Sequence, residues 1–483
     1  MRIEFLTFLD AERQRVAVIH RGTLISASDL DADAEVIASQ LATAGIGSRH
    51  RVALLIGNTP AFFVALVAVM KLDASAVLLN QEAKSVEIRD LLVRTGAAVI
   101  LTASRQTCAS DLATDGYVEP LDDGGARSVA AWRTPVCARA AGVDEVVVQF
   151  TSGIAGRSKI VPRTAANLVD ELSNFDRHLR LGRDDATVCP VPLSHTYGLV
   201  NGCLLPLFSG RPVILTDGFL PNDIIDAVRT YKARVLIGVP VMYAAMAKTY
   251  GTSSADLQSL ALCFSAGAPL SSENTVAFRA RYGRFIHQQY GSTETGAVAV
   301  NLSPAEAQPE AVGRPIPGRE IDISSEDGTP APSGTPGEIV VRSAATAACY
   351  LDDAALTAEK FTPAGYLTGD VGWLDDRGVL FVHGRRRSLI NVAGLKVDPV
   401  EVENVLLELD GIAECAVVPG RDAMAGEIVR AFVVPRHPLS ARDIQAVCRN
   451  RLAGHKVPRE VVFVGALPRT ATGKVIAREL IDT

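Results

Sequence analysis

The sequence predicts an α/β fold: a large N-terminal domain of layered α/β subdomains with a β-rich subdomain, then a small C-terminal α+β lobe. Three observations predict it. Short apolar runs alternate with helical patterns early in the chain, seven prolines crowd the stretch 301–336, and a compact stretch of new character begins after Gly384-Arg385-Arg386-Arg387.

The early alternation runs Val52 to Ile56, Pro60 to Met70, Ala76 to Leu79, Val86 to Val93 and Ala97 to Leu101. Apolar runs spaced by helical patterns read as parallel strands with covering helices. Thr59 before Pro60 has the form of an N-cap and first helical residue. The apolar run Ala61 to Met70 closes at Lys71 and Asp73, too short to span a bilayer, so it reads as a buried helix. Similar units recur at Val213 to Leu215, Asp223 to Thr230, Val235 to Ile237 and Val239 to Lys248. The stretch 113–142, rich in Gly, Asp and Ala, reads as a loop-rich connection.

Seven prolines in 301–336 exclude a long helix and favour short strands with turns. The alternation from Gly337 to Arg342 and the turn Asp375-Asp376-Arg377-Gly378 indicate antiparallel hairpins. These observations set two domains, 1–386 and 387–483. In the second, Asp398, Pro399 and Glu401 have capping-box spacing, and Val402, Val405, Leu406 and Leu409 form one apolar stripe ending at Gly411. That helix is expected to pack on strands at Cys415 to Val418 and Val429 to Val434.

At 483 residues the chain exceeds what one core organises. With 48% hydrophobic and 21% charged residues and a net charge of -6, it lacks a basic nucleic-acid footprint. Eight scattered cysteines without paired short spacing argue against disulfides or zinc and for a reducing cytoplasm. No signal or transit peptide is read at the start. The oligomeric state is not legible.

The segment richest in chemistry is Val146 to Phe150 followed by Thr151-Ser152-Gly153-Ile154-Ala155-Gly156-Arg157-Ser158-Lys159. Glycines let backbone N–H groups approach phosphate oxygens, hydroxyls add donors, and the lysine adds charge. A glycine-rich turn after a strand also occurs for purely structural reasons, and the spacing is not that of a Walker A loop.

The loop resembles the phosphate-binding signature of the adenylate-forming superfamily: acyl- and aryl-CoA synthetases, adenylation domains and beetle luciferases. Further motifs follow in that family's order, closest to acyl- and aryl-CoA synthetases. They are Pro192-Leu193-Ser194-His195-Thr196-Tyr197-Gly198-Leu199, Ser265-Ala266-Gly267-Ala268-Pro269-Leu270, Tyr290-Gly291-Ser292-Thr293-Glu294-Thr295 and Tyr366-Leu367-Thr368-Gly369-Asp370. Gly384 to Ile390 and Pro468-Arg469-Thr470-Ala471-Thr472-Gly473-Lys474 complete the set.

The resemblance implies a carboxylate attacking the α-phosphorus of ATP with loss of pyrophosphate, then transfer of the acyl group to a thiol. By it, Thr151, Ser152, Gly153, Gly156 and Lys159 hold phosphates, and Gly267, Ala268, Pro269, Tyr290, Gly291 and Ser292 frame the nucleotide. Glu294 is the Mg2+ ligand, Thr293 donates to the α-phosphate, and Asp370 and Arg385 hold the ribose. Lys474 is the catalytic lysine. On residue chemistry alone, a Glu in such a turn is more often a surface or capping acid, and the alternative for Asp370 is a turn-forming Asp after glycine.

His195, Tyr197, Gly198, Val239, Met242 and Ala266 would line the acid pocket. No Asp stands in 192–199 to hold an ammonium, which disfavours an amino acid. By the resemblance, Arg387 falls at the hinge of a mobile C-terminal lobe and Gly394 at the thiol tunnel.

The expected cofactors are ATP, Mg2+ and CoA or a carrier-protein phosphopantetheine. The substrate is a small aryl or short to medium acyl acid, with no nucleic-acid partner and no membrane span. With the sequence ending nine residues after Lys474, a carrier protein would be a separate partner. Alternatives of another class are a luciferase-like oxidoreductase and a non-catalytic nucleotide-binding homologue. The chain departs from the family pattern at Ile154 and Ala155, where hydroxyls are common, and at Ser158, commonly proline; a raised ATP requirement is expected. The loop Val392 to Lys396 lacks the basic or histidine residue that some relatives carry.

Overall fold

A computed structural model describes residues 14–83, 85–103, 112, 119–120, 129–151, 158–303, 311–325, 327–385, 390–392, 395–397, 399–422, 426–452, 454–470 and 475–481. The chain divides into two compact units, Met1–Ile321 with Val341–Leu367, and Asp322–Val340 with Thr368–Thr483. No helix among the described residues is long and apolar enough to cross a membrane.

The first unit opens with strands β1 (Val16–His20) and β2 (Thr23–Ser26) and helix α1 (Ala27–Thr43). Then come β3 (Arg51–Leu55), α2 (Pro60–Lys71), β4 (Ser75–Leu78), α3 (Ser85–Thr95) and β5 (Val99–Ala103). Strand β3 pairs in parallel with both β4 and β5, as the apolar alternation predicts. Thr59 occupies the N-cap of α2 with Pro60 in its first turn, though its hydroxyl makes no cap hydrogen bond. Every residue from Ala61 to Met70 is buried, so α2 is a core helix.

Strands β6 (Glu119–Pro120), β7 (Val129–Arg133), β8 (Glu145–Thr151) and β9 (Lys159–Thr164) complete a seven-stranded sheet ordered β6-β7-β5-β3-β4-β8-β9. Strand β7 corrects the expectation of loop across 113–142. It pairs antiparallel with β5, and Trp132 Nε1 donates to Thr102 Oγ1 at 3.0 Å. Two alanines dilute the period-two signal of this strand, so composition hides it.

Helix α4 (Ala165–Leu179) follows, capped by Thr164 in a capping box with Asn167. A second sheet gathers β10 (Thr187–Cys189), β11 (Val213–Leu215), β12 (Val235–Gly238) and β13 (Leu262–Ser265). Strands β14 (His287–Ser292), β15 (Gly296–Val300) and β16 (Ala311–Pro315) extend it. Within this unit the order is β16-β15-β14-β13-β12-β10-β11-β1-β2. Its strands run parallel from β1 through β14, and β15 and β16 are antiparallel, matching the proline-rich shift read from sequence. One continuous core contains Phe62, Phe63, Phe175 and Phe264.

In the second unit, the strand Gly365–Leu374 pairs antiparallel with Leu380–Arg385 through the expected turn at Asp375. A five-stranded sheet includes Ile412–Asp422 and Gly426–Pro435, covered by helix Pro399–Leu407 through Val402 and Leu406. Glu401 stands in the first turn of that helix, and its carboxylate accepts Lys456 Nζ at 2.6 and 2.7 Å. Asp398 lies outside the described residues.

Candidate active site

The site of the first unit is built on the antiparallel pair β8 and β9. Lys159 pairs with Thr151 and Arg163 with Val147. With a period of two, Lys159, Val161 and Arg163 share one face of β9. Strands β14 and β15 form a hairpin, Ser292 paired with Gly296, whose turn carries Thr293 and Glu294. Ser292 and Thr295 tie the turn reciprocally: Ser292 N–H donates to Thr295 Oγ1 at 3.1 Å and Thr295 N–H to Ser292 Oγ at 3.2 Å. Gly296 has φ +66°, and a Cβ there would stand 2.3 Å from the Glu171 carboxylate, so only glycine fits.

Arg163 is 0% exposed and holds the turn in place. Its Nη1 donates to Thr293 O at 3.2 Å, and its Nη2 to Glu171 Oε2 and Ala345 O, both at 2.8 Å. Glu171 in turn accepts Ala297 N–H at 2.7 Å. Removing one partner of a buried pair strands the other charge. Arg163→Ala is therefore expected to destabilise the fold by about 3–5 kcal/mol, read as a fall in the denaturation midpoint. A midpoint within error of the parent would contradict this.

Glu294, only 4% exposed, points from the turn to a cluster of donors. Tyr350 OH donates to Glu294 Oε1 at 2.8 Å, and Lys159 Nζ lies 4.0 Å from the same oxygen. Lys159 donates to the Tyr350 hydroxyl at 3.3 Å and sits 4.9 Å from that ring's centroid. The Tyr366 hydroxyl completes the chain, 3.0 Å from that of Tyr350. Burial first, then the neighbouring Glu294 charge and Tyr350, push the Tyr366 phenol far above its ordinary value, so it stays protonated. Neither tyrosine was expected as a site residue. Tyr366 stood at the start of a quoted motif; Tyr350 carries no local signal, since its partners are remote in sequence.

Helix α5 (Thr196–Leu199) brings a second wall. Thr196 Oγ1 donates to Thr293 Oγ1 at 3.0 Å, so the two hydroxyls meet over the turn. Tyr197 OH donates to Phe264 O at 3.0 Å, and burial raises its phenol well above the usual range. Gly198 packs tightly: a Cβ there would lie 2.1 Å from Pro192 O. His195 occupies the N-cap position of α5, and burial lowers its imidazole below its ordinary value, which keeps it neutral. Val239 and Met242 belong to the apolar core beside Tyr197, at 2% and 4% exposure. Beyond β13, Ala266 is buried, Ala268 half-buried, and Gly267 (φ +85°) and Pro269 exposed. Tyr290 is half-buried in β14 and Gly291 exposed.

In the second unit, Asp370 is 8% exposed and is the Cα partner of Arg385 across the antiparallel pair. Its N–H donates to Thr368 Oγ1 at 3.0 Å, and Thr368 Oγ1 donates to Ile339 O at 2.7 Å. Both expected ribose residues thus stand side by side on adjacent strands. The Arg385 side chain, Ser152, Gly153, Gly156, Arg387, Gly394 and Lys474 lie outside the described residues, as do Ile154 and Ala155. Ser158 is described; its carbonyl accepts Arg94 Nη2 at 2.6 Å.

A family model described as AMP-binding enzyme matches residues 7–351, and one described as AMP-binding enzyme C-terminal domain matches 401–474. A feruloyl-CoA synthase of an Amycolatopsis species is 31% identical over 471 residues, covering 96% of this chain and 95% of that protein. An indoleacetate–CoA ligase of Aromatoleum aromaticum is 31% identical, covering 91% of this chain and 89% of its own. Among solved structures, the o-succinylbenzoate coenzyme A synthetase of Bacillus subtilis, in complex with ATP and magnesium ion, superimposes with a TM-score of 0.85. It is 25% identical, covering 99% of this chain and 98% of that one.

Proposed function

Because the chain belongs to the AMP-binding enzyme family, we propose that it activates a non-amino carboxylic acid with ATP as an acyl-adenylate, releases pyrophosphate, and passes the acyl group to the thiol of CoA. One observation carries the reading: a buried carboxylate, Glu294, held on a hairpin turn with Thr293 beside it and the Lys159 ammonium 4.0 Å away. A triphosphate needs such a set of one acid for its metal, one hydroxyl donor and one fixed cation.

The donor set fits Mg2+. A small hard cation of this kind takes one protein carboxylate and fills its sphere with phosphate oxygens and water. Glu294 would hold it. When bound, Mg2+ neutralises charge on the leaving pyrophosphate. Thr293 hydrogen-bonds the α-phosphate and Lys159 balances the outer phosphates. Thr151 and the glycine loop cradle them. Asp370 accepts the ribose hydroxyls, assisted by Arg385, and Tyr290 with Gly267, Ala268 and Pro269 flanks the adenine.

The acid is aryl or short to medium acyl. The apolar character of Tyr197, Val239 and Met242, which pack in one core cluster, supports this, as do the feruloyl and indoleacetate substrates named for the relatives. Lys474 contributes a point charge to the attacking carboxylate and α-phosphate. Arg387 serves as the pivot between domains 1–386 and 387–483, and Gly394 lines the thiol path in the second half-reaction. Incubation with ATP, Mg2+, CoA and aryl or medium-chain acids is expected to yield AMP and a CoA thioester by mass. Adenylate accumulating with no thioester would reject CoA as the acceptor.

A further inference from the structure

The stretch 343–351 belongs to no motif that names a nucleotide contact, yet it straps the turn bearing Glu294. Ala347 N–H donates to Glu294 O at 2.7 Å, and Leu351 N–H to Ile160 O at 2.9 Å. Asn167 Nδ2 donates to the carbonyls of Ala344 at 2.8 Å and Thr346 at 2.9 Å. The strap is thereby fixed to β9, to the start of α4 and to the turn itself, and it delivers the Tyr350 hydroxyl to Glu294.

Donor accounting gives this hydroxyl a direction. A phenol has one proton and two acceptor sites, and an ionised carboxylate only accepts. The Tyr350 proton therefore goes to Glu294 Oε1, and its oxygen accepts from Lys159 Nζ at 3.3 Å and from Tyr366 at 3.0 Å. Donors feeding a donor strengthen the final bond. One carboxylate oxygen is thus taken by Tyr350, and the lysine is held at the hydroxyl instead of collapsing onto the acid.

We propose that Tyr350 is a positioning residue for the metal-bound nucleotide: by holding Glu294 Oε1 it orients the carboxylate toward a divalent cation, and it spaces Lys159 for a phosphate. This rests on Glu294 being the magnesium carboxylate. Tyr350 touches neither substrate nor metal, and Tyr366 supports it from behind.

The test is ATP binding by calorimetry across a Mg2+ series, together with steady-state pyrophosphate exchange. Tyr350→Phe is expected to raise the Mg2+ concentration for half-maximal ATP binding by about 10- to 100-fold, the usual effect of losing a partner behind a metal ligand. It should also lower kcat, while KM for the acid holds within about twofold, since no acid contact is lost. Tyr366→Phe is expected to shift the midpoint in the same direction by a smaller factor, and it carries the test should Tyr350→Phe not fold. An unshifted Mg2+ midpoint in folded Tyr350→Phe, or in Tyr366→Phe when it stands alone, overturns the proposal. Glu294→Gln separates the two layers. If it keeps the parental Mg2+ dependence, the metal assignment fails and takes the proposal with it; if it loses that dependence while Tyr350→Phe is silent, only the role of Tyr350 fails.

Discussion

Glu294→Gln is expected to lower acid-dependent pyrophosphate exchange by about 10²–10³-fold while the protein stays folded. The magnitude follows from the metal's role, since a bound cation contributes several kcal/mol to charge stabilisation and each decade of rate is about 1.4 kcal/mol. Folding is spared because the glutamine carbonyl still accepts from Tyr350, the bond that holds Glu294 Oε1 at 2.8 Å. Nor does the variant leave a buried charge unpaired. The measurement is exchange rate beside a thermal melt; a folded variant within about threefold of the parent, under half a decade of rate, would remove Glu294 from the chemistry.

Lys474→Ala is expected to act as strongly, but on one half-reaction only. A point charge placed at the attacking carboxylate and the α-phosphate stabilises charge that develops in the transition state. Loss of one such group lowers rates by about 10²–10³-fold. Thioester formation from a supplied acyl-adenylate and CoA needs no such charge and should keep within about tenfold of the parent rate. Single-turnover assays of the two half-reactions check this. Equal losses in both would contradict the assignment of Lys474 to adenylation.

The elements that sequence made legible are those whose pattern is local. Helix α2 announced itself through Pro60 and an apolar run, and all ten residues from Ala61 to Met70 are buried. Parallel strands followed from runs such as Val235 to Ile237, because strands covered on both faces need no alternation. Strand β7 escaped because its two large apolar residues, Val129 and Trp132, stand an odd three positions apart with alanines between them, so no period of two shows. The contact of Glu401 with Lys456 Nζ at 2.6 Å was not legible, since the two lie 55 positions apart.

The site divides the same way. Glycine and hydroxyl motifs were legible, since tight turns and phosphate cradles need particular residue types at fixed spacing. The adjacency of Asp370 and Arg385 emerged only from strand register. Arg163 with Glu171 and Tyr350 with Glu294 are contacts made by the tertiary fold, the second across 56 residues. Side chains that hold a functional group from behind leave no spacing rule to read.

The most direct measurement is incorporation of labelled pyrophosphate into ATP by the unmodified chain, with and without a panel of aryl, fatty and hydroxy acids. At least one acid is expected to drive incorporation well above the acid-free background, with Mg2+ required. Tight ATP binding with no acid-stimulated incorporation across the whole panel would contradict acid activation and leave a protein that only holds nucleotide.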